Sequence, residues 1–174
     1  MKSDTRKIFF IVLTLILMLA IQALSPFITQ FWADTVTGFI LISSVMIFNT
    51  LPCIIIALIF PFLAKIIGIS ELPIAILSVV AICNIIVVTI YTIAFQVFAS
   101  NSIYQKAFTW GVSVVISALI KYGMLYFLVD RLLLNILEIN ATVTYSFGSI
   151  QFFSSLLAGV LAFFVIKPIK RLVK

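Results

Sequence analysis

The sequence predicts an all-α integral membrane protein, a bundle of six transmembrane helices with both ends in the cytoplasm. Three observations predict it. Charged residues make up only 9% of the chain against 64% hydrophobic, with a mean hydropathy of +1.36, whereas a soluble domain keeps about 25% charged residues to wet its surface. The apolar residues lie in continuous runs, not in the alternating pattern of a membrane barrel. Helices of roughly 20 such residues satisfy their own backbone hydrogen bonds in hydrocarbon. Finally, most lysines and arginines cluster toward the two ends, which the positive-inside rule reads as cytoplasmic. A single transmembrane domain is expected over residues 1–174, without soluble linker, low-complexity tract or internal repeat.

The first helix is expected over about 8–24, longer than the roughly 7–15 apolar residues of a signal peptide. Lys2, Arg6 and Lys7 precede it, and Ala20-Ile21-Gln22-Ala23 makes a poor cleavage site. Ser25-Pro26 ends the run, and Thr29 to Asp34 is expected as a short outer loop with Trp32 at interfacial depth. The stretch Thr35 to Ile69 exceeds one crossing. Asn49-Thr50-Leu51-Pro52 divides it, because proline disfavours helix in the residue before it. Two short helices of about 36–48 and about 52–67 result, with one long kinked helix as the alternative. Ser70-Glu71-Leu72-Pro73 supplies the next turn, and the fourth helix follows over about 73–95. Ala99 to Lys106 reads as a polar connector, and the fifth helix spans about 108–129. Asn135 to Thr142 is expected as a loop, the sixth helix as about 143–166, and a basic tail ends the chain.

This count sorts the charges. Lys2, Arg6, Lys7, Lys106, Lys167, Lys170, Arg171 and Lys174 fall on one side; Asp34, Glu71, Asp130 and Glu138 fall on the other. An odd number of crossings would split the basic ends. The net charge of +6 therefore reads as membrane orientation rather than nucleic-acid binding. With no His, and with Cys53 and Cys83 inside apolar runs, no metal site is expected and the cysteines read as small apolar side chains.

Polar residues within a span are costly, so each is a candidate for function. Lys121 lies about nine residues, or roughly 13 Å at 1.5 Å per residue, from the outer end of the fifth helix. Its ammonium needs water, a ligand or a partner inside the bundle. Ser113 and Ser117 continue its stripe, and Tyr122 and Tyr126 form a neighbouring aromatic edge. Gln151 on the sixth helix lies at comparable depth, with Ser155 one turn below, and Asn84 on the fourth lies slightly deeper. Three helices thus bring polar groups to one level of the outer half. The alternative is structural: Lys121 pairs with Glu71 or Asp130, while Asn84 and Gln151 hold helices together. Gly148, Ser155, Gly159 and Ala162 place small side chains along the sixth helix, a pattern for close helix packing. Asn49 reads as a turn residue, and Asn140-Ala141-Thr142 fits a glycosylation pattern. No acid falls in the middle of a span, and no phosphate-cradling Gly-Lys-Ser/Thr motif, metalloprotease motif or Ser/His pair is present. No catalysis is expected, and no cofactor. A pocket without an energy source suggests a binding subunit that is driven by partners.

The chain resembles the S components of energy-coupling-factor transporters, small six-helix proteins that capture vitamins and other micronutrients. More narrowly, it is similar to the clostridial type of unassigned substrate. Three stretches carry the resemblance: Thr37-Gly38-Phe39 leading into Pro61-Phe62-Leu63-Ala64; Ile82-Cys83-Asn84; and Ala118-Leu119-Ile120-Lys121-Tyr122 through Leu125-Tyr126, followed by Ser149-Ile150-Gln151. It implies Asn84, Lys121, Tyr126 and Gln151 as substrate-binding positions. It also implies a micronutrient taken from outside, and as partners a transmembrane coupling subunit with two cytoplasmic ATPases. Two departures stand out. Thr14-Leu15-Ile16-Leu17-Met18 occupies the face where the family presents an alanine-x-x-x-alanine docking stripe, and Cys83 stands where a glycine is expected. The rival readings are a non-transport membrane scaffold or assembly factor without a ligand pocket, and a membrane enzyme of unfamiliar type.

Overall fold

Long apolar runs become helices here. The computed structural model describes residues 3–48, 50–100, 103–133 and 149–172. Among these are six α-helices: α1 (Ser3–Ala23), α2 (Ser25–Ile47), α3 (Thr50–Ile66), α4 (Ile74–Ser100), α5 (Ile103–Met124) and α6 (Ser149–Leu172). A π-helical segment, Leu125–Leu133, continues α5. Ser25–Ile47, Ile74–Val97 and Gln105–Val129 are each long and apolar enough to cross a membrane, while Ile8–Ala23, Thr50–Ile66 and Ser149–Val165 are shorter apolar helices. Asn49, the expected loop at 135–142 with Glu138 and Asn140, Gly148, Lys2 and Lys174 lie outside the described residues. So do the side chains of Arg6, Lys7, Asp130, Lys167, Lys170 and Arg171.

Helix α2 is the hub. One apolar cluster joins it to α4, α5 and α6 through Ile42, Met46, Tyr91, Trp110, Val114 and Ala158; a second joins it to α1, α3 and α4 through Met18, Leu41, Val45, Ile56, Phe60 and Val88. A third, smaller cluster packs Leu125 and Val129 of the π-helical segment on Ile76 and Cys83 of α4. Outward faces are apolar too: Phe27 is 84% exposed, Ile66 79%, Phe108 74% and Phe164 70%. Exposed apolar area on this scale suits lipid rather than water. Both cysteines are free and buried.

Three elements differ from the sequence-based expectation. The outer loop expected at Thr29 to Asp34 is helical apart from Thr29, and α2 begins at Ser25. Pro26 sits in the first turn, where its missing N–H costs nothing, and Gln30 Nε2 donates to Asp34 Oδ1 at 2.8 Å, a bond at helical spacing. The connector expected at Ala99 to Lys106 shortens, because α4 reaches Ser100 and α5 starts at Ile103. The fifth helix changes to π geometry at Leu125. Between α2 and α3 the chain leaves the helix at Phe48, which is extended (φ −105°, ψ 164°).

Thr29 interrupts α2 with φ 65° and ψ 148°, a region occupied almost solely by glycine and costing about 1–3 kcal/mol for other residues. Thr29→Gly is therefore expected to stabilise the protein by about 1 kcal/mol, after subtracting glycine's extra chain entropy of about 0.5–1 kcal/mol. Detergent-denaturation midpoints check this; an unshifted midpoint would mean that Thr29 stores no strain.

The α3–α4 turn is tied more firmly. Gly68, at φ 81°, takes the left-handed position that ends α3. Ile69 N–H donates to Ala64 O at 2.8 Å and Gly68 N–H to Lys65 O at 3.0 Å. Lys65 Nζ then reaches over to Leu72 O at 2.8 Å. Helix end and loop are stitched into one wall.

Candidate functional site

That wall closes one side of a cavity of about 360 Å³, within the range of roughly 300–1,000 Å³ typical of small-molecule sites. Its position follows from chain direction. The end of α1, the start of α2, the end of α3 and the start of α4 all meet at one end of the bundle, and Gln151 stands near the start of α6. Gln22, Ser25, Gln30, Asp34, Ser70, Glu71 and Gln151 supply the polar lining; Phe60, Pro61, Leu72 and Val80 contribute to the apolar lining. Pro61 has no N–H to return to α3, a gap that the helix tolerates on its cavity face.

Behind it lies a smaller cavity of about 60 Å³, sharing Gln22, Asp34, Phe60, Val80 and Gln151 with the first. Lys121 and Asn84 enter here. A third void of about 20 Å³ continues inward past Asn84 and Lys121 to Ser117 and Ser155. The three form a tapering polar string, with Asp34 and Gln151 at its first constriction.

Asp34 organises that constriction. Its carboxylate accepts from Gln30 Nε2 at 2.8 Å and from Gln151 Nε2 at 2.5 Å, joining α2 to α6 across 117 residues of chain. Gln151 is buried, and its Oε1 has no hydrogen-bond partner. Unpaired buried acceptors of this kind are rare and costly. Lys121 lies within coulombic reach of Asp34 across the smaller cavity, yet among the described residues its ammonium makes no hydrogen bond and no ion pair. Glu71 lines the larger cavity, which Lys121 does not.

No family model, no curated protein and no solved structure matches this chain. The site therefore stands on its geometry.

Of the four positions singled out in the sequence, Asn84, Lys121 and Gln151 converge on the smaller cavity. Tyr126 lines none of the three voids. It is 37% exposed and stacks on Tyr122, with ring centroids 5.8 Å apart. Leu125, four residues after Lys121, takes the inward position instead, leaving Tyr126 on the adjacent outer face.

Asp34, Gln30 and Glu71 were not among the sequence candidates for the site. Asp34 and Gln30 read as loop residues because they are polar and follow Ser25-Pro26. The signal that could have found them is helical spacing: Gln30, Asp34 and Gly38 recur every four residues, which places them on one face.

Proposed function

We propose that this chain is the substrate-capture subunit, or S component, of an energy-coupling-factor importer. In this reading it crosses a bacterial cell membrane six times with both ends in the cytoplasm. It takes a vitamin-like micronutrient or precursor from outside, and a transmembrane coupling subunit with two cytoplasmic ATPases drives uptake. It carries no catalysis of its own.

The observation that supports this reading is the string of cavities passing a lysine that has no hydrogen-bond or ion-pair partner among the described residues, beside a buried Gln151 Oε1 without a donor. Unsatisfied groups beside a void of ligand size and the small cavity behind it are complements to something absent. Lys121 offers three donors to a carbonyl or anionic group. The opening lies at the end of the bundle bearing the α1–α2 and α3–α4 connections, on the proposed outer side.

One observation favours the scaffold reading: the Gln151–Asp34 bond joins two helices directly, as a structural clasp would. Gentle purification from the host membrane, with mass spectrometry of accompanying proteins and retained small molecules, separates the two. Coupling-subunit and ATPase partners together with a retained metabolite support capture; other partners and an empty pocket support the scaffold. Lys121→Ala and Gln151→Ala are each expected to reduce retention of that metabolite about tenfold or more, the cost of a lost charge-assisted bond of about 1.5–3 kcal/mol. Unaltered retention in both variants would remove these residues from the site.

A further inference from the structure

The charges around the larger cavity are unbalanced. Asp34 and Glu71 both line it, and among the described residues no lysine or arginine does. Lys65, next to the lining residue Ala64, donates its ammonium to the carbonyl of Leu72, another lining residue. Lys121 belongs to the smaller cavity, where it offsets Asp34 alone. Among the described residues, Glu71 therefore has no opposing charge in the lining, and the two cavities together carry two acids against one base.

Hydrogen-bonding capacity points the same way. Gln151 belongs to the wall shared by the two cavities, and its buried Oε1 is an acceptor without a donor. An ionised carboxylate accepts hydrogen bonds and donates none. Asp34 has two glutamine amides on it, and a carboxylate offers about four lone-pair positions. The donors of the large cavity are thus all neutral amides and hydroxyls, with no positive charge among its described lining residues, while apolar atoms of Phe60, Pro61, Leu72, Leu77 and Val80 supply a body-sized surface.

We infer that the ligand of this cavity is a small organic cation, a protonated amine or amidine with N–H groups on a compact apolar body. Its nitrogen sits between Asp34 and Glu71 and donates toward Gln151 Oε1. Any carbonyl or anionic end it carries points inward to Lys121. This rests on the capture reading and narrows it to a charge class.

The test uses the full chain in phosphatidylcholine nanodiscs, with empty nanodiscs as the blank. Four probes of one size are titrated by tryptophan fluorescence and thermal shift: benzamidine and benzylamine as cations, benzyl alcohol as the neutral form, benzoate as the anion. The expected result is saturable binding of both cations, at least tenfold tighter than the alcohol or benzoate. Glu71→Gln, in a loop outside the helices, should weaken cation binding about fivefold or more while leaving the unliganded midpoint unchanged. Asp34→Asn should weaken it further. No saturable cation binding, equal binding of benzoate, or unchanged affinity in Glu71→Gln would each overturn the inference. Failure here is distinguishable from failure of the capture reading. Coupling partners found with a retained anion would refute only the cation, whereas cation binding without those partners would refute only the importer.

Discussion

Asp34→Ala is expected to destabilise the protein by about 1–3 kcal/mol, the cost of stranding a buried polar group, and to abolish ligand retention. Both carboxylate bonds are lost, but they differ in worth. Gln30 is partly exposed and can turn to water in the cavity. Gln151 is 8% exposed and would be left with neither its amide hydrogens nor its carbonyl paired. Removing the carboxylate also removes its own desolvation cost, which offsets part of the loss. Against that, Lys121 would remain as a cation with no nearby acid in its cavity. The balance is destabilising. Asp34→Asn keeps one acceptor oxygen and should cost less. The decisive measurement is a double-mutant cycle with Gln151→Leu, read by detergent unfolding. A coupling of about 1 kcal/mol or more locates stability in the α2–α6 contact, whereas additive losses would mean that the bond contributes nothing measurable.

The convergence of Asn84, Lys121 and Gln151 was legible because depth can be counted. In a chain whose solvent is lipid, a polar residue well inside an apolar run must face inward, and the helix rise puts it at a level. Those two constraints place three residues on three helices without knowledge of the packing. Asp34 escaped because a polar stretch after Ser25-Pro26 reads as a loop unless the four-residue spacing of Gln30, Asp34 and Gly38 is given more weight. In the fold it accepts from Gln30 four residues back and from Gln151, 117 residues away, and the second contact has no local signature. Tyr126 stands apart from the three voids for a smaller reason. Helical spacing puts it one position past the Lys121–Leu125 face, and one position on a helix turns a side chain by about 100°. Glu71 was read as part of a turn, and it is in one. What the sequence could not convey is that Gly68 and Lys65 fold that turn back over the bundle as a cavity wall.

Close packing of α6 leads to the other large expected effect. A side chain at Gly159 has nowhere to go: a Cβ there would overlap the Tyr91 hydroxyl and come within 2.8 Å of Val114 Cγ2. Neither neighbour yields easily. Tyr91 is fully buried, lies with its ring centroid 5.0 Å from that of Trp110, and accepts from Ser117 Oγ at 3.4 Å. Trp110 is in turn pinned by its own Nε1, which donates to the Gly159 carbonyl at 2.9 Å. Gly159→Ala gains up to about 1 kcal/mol of helix propensity, but overpacking a tight site costs about 1–3 kcal/mol, and here the obstructing atoms belong to two helices at once. The expected net result is a loss of about 1–2 kcal/mol. Gly111→Ala is the internal control, because a Cβ there meets nothing within 4 Å and should be neutral or stabilising by up to about 1 kcal/mol. The two variants carry the same chemical change on adjoining helices, so propensity cancels in the comparison and the difference in unfolding midpoint reports space alone. Equal midpoints would mean that α4, α5 and α6 do not meet at Gly159. A lower midpoint for Gly159→Ala, partly restored by Val114→Ala, would show that the small residue is there to let three helices close.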